Sequence, residues 1–229
     1  SYDQQIPKLL AGESDIVIAA MTRTVERGLQ VHFTAPYFEV SQAALVRRNM
    51  LLDGAGSYFD LLEIQGLRLG VKAGTTHEKF ARELFPADTI KRYPTAAAAA
   101  EALVKEEVDA MVADSPFIRV WRSTHVEHYQ KIAALLEPVT REFYAFAIRP
   151  GDPDFLNWLY LFVDQVRTDV TLELLKYEYF EQIAWASEDA KPEERLTRAE
   201  FLKNRFIVNR KAMIEKRRKA FHGKGDNYE

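Results

Sequence analysis

Between residues 67 and 123 the chain alternates on a regular beat. An apolar run LRLGVK (67–72) is followed by a helical pattern over 76–85, a short run at 89–92, a helical pattern over 95–106, a third run VDAMVA (108–113) and a helical pattern over 116–123. Short strands separated by helices of this length predict a parallel sheet with helices on both faces, an α/β architecture. The alanine run at 96–100 fits a helix packed closely on that sheet. In such sheets, ligands sit outside the carboxyl ends of the strands. Two strand ends are therefore chemically informative: Lys72-Ala73-Gly74-Thr75-Thr76 and Ala113-Asp114-Ser115-Pro116.

At the first end, Gly74-Thr75-Thr76 lies between a strand and a helix, where free N–H groups and hydroxyls can hold an anion. The same residues serve equally as helix caps. His77 follows directly and can hydrogen-bond a ligand side chain, although a lone histidine is more often a surface residue. At the second end, Ser115 and Pro116 are suited to open the helix. Asp114 is thereby left to point into a cleft and receive an ammonium group; otherwise it is a second capping residue.

A third strand end lies upstream. In DIVIAAMTRTVERGLQVHFTAPY (15–37) an apolar run stops at Ala20-Met21-Thr22-Arg23-Thr24, and a short helix from Thr24 carries Arg27 back toward it. Backbone N–H groups, the Thr22 hydroxyl and a guanidinium able to donate two parallel hydrogen bonds form a carboxylate clamp. A buried strand, a cap at Thr24 and a solvated arginine account for the same residues. The two readings stand even on this stretch alone.

The remaining elements are a helix over 1–12 ending at Gly12, strands at 43–48 (AALVRR) and 143–148 (FYAFAI), and a helix opened by Asp152 and Pro153. That helix is amphipathic through Leu156, Leu159, Phe162, Val163 and Val166, and an apolar helix through Leu172, Leu175, Tyr179 and Phe180 follows. With 47% hydrophobic residues, the 229-residue chain can bury a sizeable core. Residues 203–224 hold nine Lys or Arg against one acid, a local +8, leaving −11 on the remainder of a chain whose formal charge is −3. A solvated or self-docking helix is the better reading of that tail than nucleic-acid or lipid binding. The absence of cysteine rules out disulfides, thiolate zinc and a cysteine nucleophile. Neither a Gly-rich nucleotide loop nor a nucleophile elbow occurs, and the five histidines show no metal-binding motif. No metal, cofactor or nucleic-acid partner is expected. No apolar run approaches membrane-spanning length, and Ser1 opens a polar helix rather than a signal peptide.

Four segments in this order, IPKLLAGESDIVIAAMTRTVERGLQVHFTAPYFEVSQAALVRR, LRLGVKAGTTHEKF, YPTAAAAAEALVKEEVDAMVADS and AFAIRPGDP, resemble the family 3 bacterial periplasmic solute-binding proteins, the amino-acid receptors of ABC importers. The resemblance runs from about residue 5 to 180. It implies a type II periplasmic-binding-protein fold: two three-layer α/β/α lobes joined by two crossover strands, here at 43–48 and 143–148. Lobe one would comprise 1–44 and 143–185, lobe two 45–142, and a charged helical tail 186–229. It implies that Ala20, Thr22 and Arg27 hold an α-carboxylate, that Thr76 assists beside Thr75 and His77, and that Asp114 takes the α-amino group.

The implied function is capture of a polar amino acid, outside the cytoplasm, for a membrane-bound ABC permease, with no chemical step. The implied location is periplasmic, or extracellular and membrane-associated. The alternatives are a ligand-sensing or regulatory module of the same fold and, less favoured, a cyclohexadienyl-dehydratase-like enzyme with His77 as its candidate acid or base. Three departures stand out. The family's opening strand-helix-strand unit of lobe one does not precede Ser1, which raises a domain-swapped or other dimer as an expectation. Ala20 stands where glycine is usual, and Arg23 replaces an apolar residue.

Overall fold

The computed structural model describes residues 2–51, 56–182, 197 and 199–204. The chain forms two compact units, Ser1–Val166 and Arg167–Glu229.

The first unit opens with α1 (Gln5–Leu10), which buries Leu9 and stops before Gly12, whose φ of +79° a side chain would resist. Then come β1 (Ile16–Val17), α2 (Val25–Gly28), β2 (His32–Phe33), β3 (Phe38–Val40) and β4 (Gln42–Arg47). The alternating region supplies β5 (Leu69–Lys72), α3 (Thr76–Leu84), β6 (Ile90–Tyr93), α4 (Ala96–Val104), β7 (Ala110–Asp114) and α5 (Ser115–Thr124). It is followed by β8 (Ile132–Leu135), β9 (Glu142–Tyr144), β10 (Ala147–Ile148) and α6 (Pro153–Thr168). Side-chain caps explain several starts. Thr24, Thr75 and Thr95 accept from the N–H groups of Arg27, Glu78 and Ala98, and Asp152 accepts from Phe155.

Five strands form one sheet in the order β6-β5-β7-β4-β8. β5 runs parallel to β6 and β7 as expected, but β4 is antiparallel to both β7 and β8, so the sheet is mixed. Alternate residues serve alternate faces. Ala44, Val46, Leu69, Val71 and Val112 meet Tyr58, Leu61, Ala81 and Phe85. Ala43, Leu45, Met111 and Ala113 meet Ala99, Ala100, Leu103, Ile118 and Trp121. With helices on both faces, β4 and β7 are buried almost throughout, which is why they read as continuous apolar runs. Within the 96–100 alanine run, Ala99 and Ala100 pack α4 against the sheet, while Ala97 is exposed. A Cβ on Gly70 would lie 3.3 Å from Tyr93 and 3.4 Å from Val108, so β5 has little room for a larger residue.

A three-stranded antiparallel sheet, β1-β10-β2, forms the second lobe's counterpart. Leu9, Val17, Met21, Val31 and Ala147 pack together, as do Phe146, Ile148, Leu159 and Val163. The expected strand over 143–148 is broken into β9 and β10. Between them, Ala145 N–H donates to the Met21 carbonyl and Phe146 N–H to the Thr34 hydroxyl, so hydrogen bonds outside the ladder carry the chain across. β9 pairs with β3, matching Phe38 to Tyr144 and Val40 to Glu142. These paired segments connect the two sheets; the expected crossover at 43–48 instead lies inside the five-stranded sheet as β4. On α6, Leu159 and Val163 are buried but Phe162 is not, and Trp158 and Leu161 are exposed beside it.

In the second unit, α7 (Thr171–Lys176) continues into a wide π-turn over Tyr177–Gln182. Residues 199–204 are helical, opened by a reciprocal Thr197–Glu200 capping box. The rest of the expected helical tail over 186–229 lies outside the described residues.

Candidate functional site

Three chain reversals converge beside the β3–β9 pair. In the first, Ala20 adopts φ +52°, a left-handed conformation costly for any residue with a Cβ, which ends the run from β1 abruptly. Thr22 is buried and bridged to Tyr144, and Arg23 N–H donates to the Phe143 carbonyl, fixing the following turn. α2 then presents Arg27. Its Nη1 donates to the Thr22 carbonyl at 2.8 Å and its Nη2 to the Gly74 carbonyl at 3.2 Å. The guanidinium therefore spans from the 20–24 turn to the turn after β5.

That second turn is tightly organised. Gly74 has φ +75°, and a Cβ there would come within 2.9 Å of Asp3. Its N–H donates to Glu78 at 2.9 Å, while the Thr75 hydroxyl donates to the Lys72 carbonyl at 2.7 Å and caps α3. The Thr76 hydroxyl turns to Glu142 at 2.7 Å. Thr22 and Thr76 both line a cavity of about 250 Å³ that also includes Gln42, Thr140 and Glu142.

At the third reversal, Asp114 occupies the N-cap position of α5, and Ser115 falls inside the helix rather than capping it. The Asp114 carboxylate makes no capping bond. It lies 3.2 Å from His77 Nε2, a close electrostatic contact without hydrogen-bond alignment. Burial raises the Asp114 pKa, but His77, Tyr144 and the charge of Lys72 outweigh it and hold the carboxyl below its ordinary value. His77 is buried, not a surface residue.

Sequence reasoning did not single out the aromatic and cationic lining. Tyr2 is held in the fields of both Arg27 and Asp114, and its phenol pKa is raised chiefly by burial. Lys72 Nζ sits 4.1 Å from the centre of its ring, a cation–π contact; burial lowers the lysine pKa and Asp114 pulls it back. Tyr37 is pushed up to about 12 by burial, and Tyr144 is raised further by burial and by Asp114. The only available signal was positional: Lys72 ends a strand, and Tyr37 and Tyr144 flank expected strand boundaries. Tyr2 carried no signal, because a helical opening does not reveal what its first aromatic reaches.

Thus Thr22 and Arg27 stand on one side, Asp114 and His77 on the other, with Tyr2 between the charges. Ala20 contributes its conformation and a carbonyl 3.4 Å from Tyr2 Oη. The Arg27 guanidinium and the Asp114 carboxylate thus both act on Tyr2. The sequence profile described as bacterial extracellular solute-binding proteins, family 3, matches residues 1–182, and the chain belongs to that family. It is 26% identical over 187 residues to the ABC transporter arginine-binding protein 1 of Escherichia coli K12, covering 80% of this chain and 72% of that protein. Among solved structures, it resembles one described as a binding component of an ABC transporter from Wolinella succinogenes, complexed with lysine. There the identity is 35% and the TM-score 0.73, with 81% and 78% of the two chains covered. It also resembles an ancestral amino-acid-binding protein described as a precursor of cyclohexadienyl dehydratase, at 33% identity and TM-score 0.69, over 79% and 75% of the two chains.

Proposed function

We propose that this protein captures a polar amino acid in the cleft between its lobes, outside the cytoplasm, and presents it to an ABC-type importer. The carrying observation is the placement of Arg27 and Asp114 on opposite lobes, with Tyr2 in the fields of both charges. An incoming α-carboxylate replaces the carbonyl partners of the Arg27 fork and gains two charge-assisted hydrogen bonds. The α-ammonium meets Asp114, which its surroundings keep ionised. The ligand side chain then lies along Tyr2, Tyr37 and Lys72, a mixed aromatic and polar lining. Because the two charged groups belong to different lobes, a ligand joining them favours the closed arrangement through contacts absent from the open one. The protein acts as a binder with no chemical step, in the periplasm or at the cell surface.

Calorimetric titration of the full chain with each of the twenty common amino acids tests this. Saturable binding of one or a few polar amino acids is expected. Heats indistinguishable from dilution for all twenty would overturn the reading.

A further inference from the structure

The Thr76 hydroxyl is expected to assist the ligand, yet its single proton is already committed to Glu142 Oε2 at 2.7 Å. The other oxygen of Glu142 accepts from Gln42 Nε2 at 2.7 Å and from the Thr140 hydroxyl at 3.2 Å. Thr140 in turn accepts from the Gln42 N–H at 3.1 Å. One carboxylate on β9 therefore gathers donors from three segments: the first turn of α3, the start of β4 and the loop leading into β9. An ionised carboxylate can only accept, and Gln42 is nearly inaccessible, so its amide would be left without a partner and Thr76 would lose its anchor on β9 if Glu142 were removed.

The neighbouring groups of the turn are committed as well: Gly74 N–H to Glu78 and the Thr75 hydroxyl to Lys72. What the turn can offer an anion are the first amides of α3, at Thr76 and His77, which have no intrahelical acceptor. We infer that Glu142 is a positioning residue: by holding the Thr76 side chain against the inter-lobe strand β9, it aims the Thr76 and His77 amides at the ligand carboxylate. Only the binding consequence of this inference rests on the amino-acid reading above.

The test uses the full chain with Glu142→Ala, Glu142→Gln and Thr76→Val. In ligand-free protein, hydrogen exchange is followed in the peptide covering 74–80, with α4 as an internal reference. Glu142→Ala and Thr76→Val are each expected to speed exchange at 74–80 about tenfold while leaving α4 unchanged. Glu142→Gln is expected to stay near wild type. The Gln42 carbonyl oxygen, buried without a partner, can accept from the introduced amide after a flip, while the introduced carbonyl keeps the Thr76 bond. Unchanged exchange at 74–80 in Glu142→Ala, or acceleration that includes α4 equally, would overturn the inference.

Calorimetry supplies the second readout. Glu142→Ala and Thr76→Val should each weaken amino-acid binding about tenfold, and the double variant should be no weaker than either, because both break one link. Losses that multiply would also overturn it. If wild-type protein binds no amino acid, the functional reading falls, and the exchange experiment alone decides the role of Glu142.

Discussion

The five-stranded and three-stranded sheets use similar residues but are closed to different degrees. In the larger sheet, β4 is registered against strands on both sides over four or five residues, and helices cover both faces. In the smaller one each ladder is two residues long. Around it the apolar cover is incomplete: Ile18, just after β1, is 60% exposed, and Trp158 and Leu161 on α6 are 59% and 63% exposed. Asp114 therefore projects from a stiff, two-sided platform, while Arg27 sits on a single turn of helix held by its cap, by Thr22 and by Gly74. Order in the smaller lobe near the site comes from turn hydrogen bonds more than from its ladder.

The largest expected contrast is in stability. Leu45→Ala, in the middle of β4, should cost about 2–5 kcal/mol, because the surrounding sheet and helices cannot collapse into the void. Leu159→Ala removes the same atoms from α6, where an open flank lets neighbours relax, and should cost clearly less. Urea denaturation of both variants checks this; equal losses would mean that the two lobes are equally consolidated.

Affinity gives the next test. On the proposed reading, Arg27→Ala and Asp114→Ala each remove one member of a charge-assisted pair with the ligand and should weaken binding by about 2–5 kcal/mol where the site is desolvated. Titration of both variants with the amino acid that the wild type binds is the measurement. If only Asp114→Ala matters, the ligand is held by the five-stranded lobe alone and the clamp on α2 is a structural turn.

The same difference in closure explains what could be read from the chain. The 67–123 region declared its elements because β5 and β7 are buried on both faces and each helix carries a Thr, Ser or Asp near its start. The position of Asp114 followed from that grammar. The antiparallel direction of β4 did not, since an apolar run carries no sign of its direction. The split at 145–146 was hidden because bonds to Met21 and Thr34 replace ladder bonds without any change in local composition. The nearness of Arg27 to the 20–24 turn was legible, since a short helix capped by Thr24 carries it back there. Tyr2 and Glu142 were not, since each acts on residues far away in sequence.

A smaller effect concerns acid. Asp109 is buried in the five-stranded lobe and accepts two hydrogen bonds from the Arg68 side chain, with Arg47 also close. The Arg68 hydrogen bond is the main reason its pKa lies below the ordinary 3.8, with burial opposing. A depressed folded-state pKa gives stability that is present above the unfolded value and lost as pH falls through the folded one. Asp109→Asn should therefore flatten the decline in denaturation midpoint below pH 3.8. An unchanged decline would place the acid sensitivity elsewhere.

Ala20 offers a gain. Its left-handed conformation costs roughly 1–2 kcal/mol with a Cβ, against roughly 0.4–1 kcal/mol of added unfolded-state freedom for glycine. Ala20→Gly should raise the urea midpoint by the equivalent of about 1 kcal/mol or less. A fall would show that the methyl group contributes packing to the smaller lobe.

The smallest effect on stability should come from Trp158→Ser, and it bears most directly on the contrast between the lobes. Trp158 stacks between Phe155 and Phe162, at 6.4 and 5.9 Å between ring centres, yet most of its surface faces solvent. Its removal forfeits an exposed stacking contact but leaves no cavity. The cost should be about 1 kcal/mol or less, far below that of Leu45→Ala, while binding of a hydrophobic dye should fall. If Trp158→Ser instead destabilises the chain as much as a core truncation, the α6 face is covered in solution, and the smaller lobe is as fully consolidated as the larger.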